Sequence, residues 1–153
     1  MRTVHDGSGT RLLLVKQSDD SSRVRDPETG EERYIPNDDL EFVDESPLET
    51  AARTVPDAAR TILGAVRDDR ALGLLFELDR RGAVAVRDLM GGYDLCESDL
   101  HGLLGEFRAA GLVEEATVAG ERGYRLTETA GEGLAHLRDE PTESGDGASE
   151  AGG

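Results

Sequence analysis

The chain has 153 residues, and 33 acidic side chains against 17 basic ones give it a net charge of −16. This length holds one domain or two very small ones, and the lack of a long apolar run or an apolar leader excludes a transmembrane helix and a signal peptide. A single cysteine excludes an internal disulfide, so we expect a cytoplasmic protein without membrane association. Lys16 is the only lysine. Such an acidic, arginine-biased composition is typical of proteins adapted to molar salt, where the Debye length is about 3 Å.

Short strands are predicted in the first part of the chain. Residues 11–16 (RLLLVK) form an apolar run between turn-forming segments. The sequence DPETG at residues 26–30 predicts a turn, because its proline fixes φ and its glycine tolerates a positive φ. A last short strand at residues 40–43 completes a small antiparallel sheet. The strand, turn and strand order that begins at Tyr34 is similar to the end of an SH3-like barrel.

Helical spacing of the apolar residues begins at residue 47. A short helix over residues 47–54 is expected to have Ser46 as its N-cap, and a second helix is expected to begin at Pro56. A third helix is apolar over most of its circumference and ends at Gly82, which predicts a central position. Residues 139–153 contain no apolar side chain larger than alanine, and we predict a disordered acidic tail there.

The segment from residue 83 to residue 137 alternates strand, short helix, turn, longer helix, two-stranded hairpin and helix. The longer helix is predicted over residues 98–110, with Ser98 as its N-cap and Gly111 following its end. Its inward side chains follow the spacing i, i+3, i+4 and i+7, and they are Leu100, Leu103, Leu104 and Phe107. The hairpin is predicted over residues 112–126, with its tip over residues 119–123.

Two runs in this segment, SDLHGLLGEFRAAGLVEE and GERGYRLTETAGEGL, resemble the winged helix-turn-helix domain of archaeal and bacterial transcriptional regulators. The resemblance implies an α+β fold in which a winged helix-turn-helix core is preceded by a small antiparallel β domain. The predicted domains are a β-sheet or barrel-like domain over residues 1–46, a winged-helix domain over residues 47–138 and the tail over residues 139–153.

The resemblance also implies a function, namely DNA-binding transcriptional regulation in a salt-adapted archaeon. In helix-turn-helix proteins the second helix enters the major groove, so residues 98–110 become the recognition helix and residues 112–126 the wing. Double-stranded DNA is then the partner, bound by a monomer or by a homodimer that reads two half-sites. The residues expected to bind nucleic acid are Arg87, Ser98, His101, Arg108, Arg122 and Arg125.

A second interpretation stays open, because the outward face of the predicted recognition helix is acidic. Glu97, Asp99 and Glu106 all lie on it. The winged helix would then bind a protein of the transcription apparatus without reading DNA. The arginines of the expected binding set distinguish the two functions: their convergence on one positive surface favours DNA, and their interruption by carboxylates favours a protein partner.

Two further features of the predicted recognition helix have alternative explanations. Gly102 and Gly105 each cost the helix about 1 kcal/mol relative to alanine, which indicates either close approach to a macromolecule or sequence drift. The run from Asp94 to His101 is rich in groups able to bind metal ions, yet carboxylates are favoured at a helix N-terminus for electrostatic reasons alone. We therefore expect no metal and no cofactor. No nucleophile and base occur at a meaningful spacing, so we expect no enzymatic activity.

Overall fold

The first strands form an antiparallel sheet in the computed structural model, which describes residues 1–138 of the chain. In chain order they are β1 (Arg2–His5), β2 (Arg11–Gln17), β3 (Ser21–Arg25), β4 (Glu32–Pro36) and β5 (Glu41–Phe42). Their order across the sheet is β4-β3-β2-β1-β5, and a single 3-10 turn precedes β5. The inward side chains of this sheet form a small core of Val4, Leu12, Leu14 and Val24.

The turn predicted at residues 26–30 is confirmed. Gly30 has a φ of +80°, and its backbone N–H donates to the carbonyl of Asp26 at 2.8 Å. The side chain of Asp26 accepts a further hydrogen bond from the N–H of Glu28, also at 2.8 Å. This local network fixes the register between β3 and β4.

The first helix, α1 (Pro47–Ala52), begins as predicted with a capping box, in which Ser46 and Glu49 each accept a hydrogen bond from the other's backbone N–H. The chain divides into two compact units between Val55 and Pro56, so α1 belongs to the N-terminal unit. The sequence predicted a boundary after residue 46, which placed α1 in the winged-helix domain. Polar contacts account for the difference, because the buried Thr50 hydroxyl lies 2.7 Å from that of Thr3.

The second unit is a winged helix-turn-helix. Its elements are α2 (Asp57–Ala65), α3 (Asp69–Arg81), β6 (Val84–Ala85), α4 (Val86–Gly92), α5 (Glu97–Ala109), β7 (Val113–Val118), β8 (Glu121–Leu126) and α6 (Glu128–Leu137). The three strands pair in the order β6-β8-β7. This element order is the one predicted from the sequence, and residues 1–138 are α+β. The predicted tail over residues 139–153 lies outside the described residues.

The core of this unit surrounds α3, which contributes Leu75 and Leu78 as fully buried side chains. Helix α6 packs closely on α2, and the contact requires Gly133: a Cβ atom there would lie 2.5 Å from the carbonyl oxygen of Ala58 and from a methyl of Ile62. None of the helices within residues 1–138 is both long and apolar enough to cross a membrane.

Two predicted boundaries in the winged unit are wrong. Helix α5 begins at Glu97, and its N-cap is Cys96 rather than Ser98, because the Cys96 sulfur accepts a hydrogen bond from the N–H of Asp99 at 3.4 Å. The tip of the hairpin is two residues long, since Ala119 and Gly120 both have positive φ, as a tight hairpin turn requires.

Candidate nucleic-acid interface

Helix α5 separates its side chains into a buried face and an exposed one. Leu100, Leu104 and Phe107 are fully buried, and Leu103 is half-buried, which confirms the predicted inward spacing. The opposite side, here called the open face, consists of six exposed residues: Ser98, Asp99, His101, Gly102, Gly105 and Arg108. A helix held from one side in this way can present the other side to a macromolecule.

The two glycines of the open face are not required by packing within residues 1–138. A Cβ atom added at Gly102 or at Gly105 meets no other atom within 4 Å. The close approach to a neighbouring helix that demands glycine elsewhere, as at Gly133, is therefore not made at either position. The remaining explanations are close approach to a bound molecule and drift.

The hairpin β7–β8 carries two exposed arginines, Arg122 and Arg125, here called the wing arginines. The tight turn at Ala119-Gly120 places Glu114 directly opposite Arg125 and Thr117 opposite Arg122. Arg125 contacts the carboxylate directly opposite it, whereas Arg122 contacts Glu115, its diagonal neighbour across the strands.

The guanidinium of Arg122 donates hydrogen bonds to two partners. It donates to the hydroxyl of buried Tyr124 at 2.9 Å and to the carboxylate of Glu115 at 3.0 Å. The pKa of Arg122 is raised above its ordinary value, first by the hydrogen bond to Tyr124 and further by the charge of Glu115. Its side chain is nevertheless 59% exposed, so the cation is ordered but accessible.

The other arginines of the expected set are paired as well. Arg125 contacts Glu114 at 2.7 Å, and Arg108 contacts Glu115, which it shares with Arg122, at 3.3 Å. On α4, Arg87 contacts Glu121 at the wing at 3.0 Å. Carboxylates therefore interrupt these arginines, which is the arrangement expected of a winged helix that binds a protein partner.

The expected binding residues are not all joined to one another. Arg108 and Arg122 meet at the shared Glu115 carboxylate, whereas Arg125 is paired with Glu114 and Arg87 with Glu121. Ser98 and His101 lie apart from these contacts on the first turns of α5. The Ser98 hydroxyl is 3.3 Å from the sulfur of Cys96, and His101 is exposed.

Two arginines beside α5 were missed in the sequence analysis. Arg67 contacts Glu106 at 2.9 Å, and Arg70 lies 3.9 Å from Asp99. No sequence pattern links these pairs, because they join α5 to the segment at the start of α3. The glutamates of the wing were also missed, although a two-residue turn at Ala119-Gly120 fixes the register from which they follow. Within residues 1–138, no group of three or more His, Cys, Asp or Glu side chains is arranged to hold a metal ion.

Comparisons with known proteins give a family and one related structure. The model of a family described as "Family of unknown function (DUF7346)" matches residues 1–138. A search of curated proteins finds no match. The chain is similar to the crystal structure of a transcriptional regulator, HlyU from Vibrio vulnificus CMCP6, with 28% identity and a TM-score of 0.44 over 52% of this chain and 82% of that one.

Proposed function

The chain belongs to the family of unknown function DUF7346, and we propose that it is a DNA-binding transcriptional regulator of a salt-adapted archaeon. Helix α5 serves as the recognition helix, and the hairpin β7–β8 serves as the wing. The binding residues are those expected from the sequence, and the assembly into a homodimer that reads two half-sites stays a prediction.

One observation carries the proposal: the residues of the open face of α5 are exposed, whereas Leu100, Leu104 and Phe107 on the opposite face are fully buried. A helix-turn-helix protein needs this arrangement, because the second helix must enter the major groove with its outward side chains near the base edges. The wing arginines lie on the neighbouring hairpin, where they can contact an adjacent groove or the DNA backbone.

The glutamates paired with these arginines impose a cost but do not block binding. Exposed ion pairs contribute about 0.2–1 kcal/mol each, so a phosphate can replace Glu115 or Glu114 as the partner of a wing arginine. At molar salt the release of counterions from DNA adds little to affinity. Binding then depends on shape, apolar contacts and hydrogen bonds, for which a flat, glycine-containing helix face is suited.

The test is fluorescence anisotropy with labelled genomic DNA fragments in molar KCl. The double variant Arg122→Ala/Arg125→Ala is expected to lose on the order of 1–3 kcal/mol of binding free energy, the range of a typical base contact.

Glu115→Gln is expected to strengthen binding, because it releases Arg108 and Arg122 from their shared carboxylate. The matched control is Glu132→Gln on α6, which removes the same charge away from the wing and should leave affinity unchanged. Equal affinity of the wild type and the double variant would contradict the proposal.

A second function, a winged-helix module that binds a protein of the transcription apparatus, is favoured by the pairing of every expected arginine with a glutamate. The test is capture from a native lysate at high salt after nuclease treatment. A stoichiometric partner that is retained by the wild type, and lost when Glu97 at the start of α5 and Asp99 on the open face are changed to glutamine and asparagine, supports this function. Retention of DNA instead of protein in the untreated sample supports the first.

A further inference from the structure

A cavity of about 370 Å³ lies in the winged unit between α3 and the turn that leads into α5. Its apolar walls are Leu74 and Phe76 from α3 and Tyr93 and Leu95 from the turn, with Arg70 at the rim. We propose that this cavity binds a small aromatic or alicyclic carboxylate, with the ring against the apolar walls and the carboxylate on Arg70. Its volume lies within the range of pockets for small ligands, roughly 300–1,000 Å³.

Gly73 keeps the cavity open. It lies inside α3, where glycine is unfavourable relative to alanine, and a Cβ atom there would meet nothing within 4 Å. Packing within the described chain therefore does not explain the glycine. A side chain at this position would project into space that the cavity now occupies, so the glycine leaves that space free for an occupant.

The polar groups around the cavity leave one cation available. The Tyr93 hydroxyl donates to Glu77 at 2.7 Å and accepts from Arg81 at 2.6 Å, so these three groups satisfy one another and Arg81 offsets the charge of Glu77. Arg70 has a carboxylate, Asp99, only at 3.9 Å, which is beyond hydrogen-bond distance. An anionic group on the occupant would complete the coordination of Arg70.

Occupation of the cavity would act on α5. Tyr93 and Leu95 belong to the turn that precedes Cys96, the N-cap of α5. A ligand between α3 and this turn would fix the start of α5, and an Arg70 held by the ligand would lie away from Asp99 on the open face. This effect on recognition rests on the proposed DNA-binding function, whereas the binding of the ligand does not.

The experiment uses the full chain in molar KCl without DNA, and the probe is 2-naphthoate, followed by its own fluorescence. The wild type is expected to bind at one site with a Kd in the millimolar range or below, given the usual affinity per atom of small ligands. Gly73→Leu should weaken binding at least tenfold, and Gly64→Leu, the same change at an exposed glycine of α2 with equally open surroundings, should not. Arg70→Gln should weaken 2-naphthoate several-fold and leave the uncharged 2-naphthamide unaffected.

Each contrary result overturns part or all of the proposal. Absence of saturable binding by the wild type, or unchanged binding by a folded Gly73→Leu variant, would contradict binding in the cavity. An equal effect of Arg70→Gln on 2-naphthoate and 2-naphthamide would contradict the contact between the ligand carboxylate and Arg70. A change in sedimentation of Gly73→Leu would identify the cavity as an interface between copies. If Gly73→Leu does not fold, amide chemical shifts of the wild type decide, with ligand-induced changes expected at Gly73, Tyr93 and Leu95.

Discussion

The carboxylate of Glu45 connects three other residues of the N-terminal unit. Its side chain is only 10% exposed and accepts hydrogen bonds from Arg53 at 2.8 Å and Thr50 at 2.6 Å, and Arg11 approaches it at 3.3 Å. These contacts lower the pKa of Glu45 from an ordinary 4.5 to about 2, the hydrogen bond from Arg53 being the largest cause and that from Thr50 the next.

The lowered pKa gives a prediction for stability against pH. Because the pKa of Glu45 is lower in the folded than in the unfolded chain, its stabilising contribution is complete above pH 4.5 and is lost as the pH falls through about 2. Glu45→Gln should therefore be less stable than the wild type at neutral pH, and the difference should shrink on acidification. Urea unfolding at a series of pH values measures this. The exposed Glu28→Gln is the control, and a pH-independent difference would mean that the ionised carboxylate is not what stabilises this unit.

The role of Glu45 was not predictable from the sequence, whereas the cap at Ser46 beside it was. The cap depends on residues three positions apart, and such a pattern is visible in one helix turn. The contact of Glu45 with Arg11 exists only after β2 and α1 have come together. Local chemistry could therefore be predicted, and the partners brought by tertiary folding could not.

At the scale of elements, apolar spacing predicted what each segment forms better than where it begins. The inward residues of α5 were identified because a period of 3.6 concentrates them on one face. The N-cap was misplaced because Cys96, a weak acceptor, occupies the position that Ser98 was expected to hold. The hairpin tip was predicted too long because Ala119 adopts a positive φ, which is uncommon outside glycine.

The packing of α6 on α2 gives the prediction at this scale. Gly133→Ala should destabilise the winged unit by about 1–3 kcal/mol, because the new methyl would clash with the backbone of Ala58. Gly131→Ala, in the same helix but with no atom within 4 Å of the added Cβ, should stabilise it by up to about 1 kcal/mol. Thermal unfolding of the two variants against the wild type measures both signs. Destabilisation by Gly131→Ala as well would show that helix α6 tolerates no side chain at either position.

At the scale of the whole molecule, the boundary between the units was missed because apolar patterning is a poor guide to α1. Leu48, the large apolar residue of that helix, is 82% exposed, and the helix is held by Thr50 and by the Arg53–Glu45 ion pair at 2.7 Å. Hydrophobic spacing alone cannot assign a helix that is attached through polar contacts. The winged unit, with a larger apolar core, was predicted more completely for the same reason.

The net charge of −16 makes stability depend on salt through repulsion among carboxylates. The backbones of four aspartates come together in the N-terminal unit, because Asn37 donates through its side chain to the carbonyl of Asp19 and through its N–H to that of Asp20, which brings both residues next to Asp38 and Asp39. Within residues 1–138, no ion pair to a basic side chain is observed for any of the four. Screening over about 3 Å at molar salt should remove most of their repulsion.

Changing these four aspartates to asparagine should therefore raise the free energy of unfolding at low ionic strength, by on the order of 1 kcal/mol, and have little effect in molar KCl. The control is Glu114→Gln, which removes a carboxylate that is paired with Arg125 and should give no gain at low salt. Urea unfolding at several KCl concentrations measures both. A gain that persists unchanged in molar KCl would identify the turn conformation, rather than electrostatic repulsion, as the source of the effect, because hydrogen bonding of asparagine in a turn is not screened by salt.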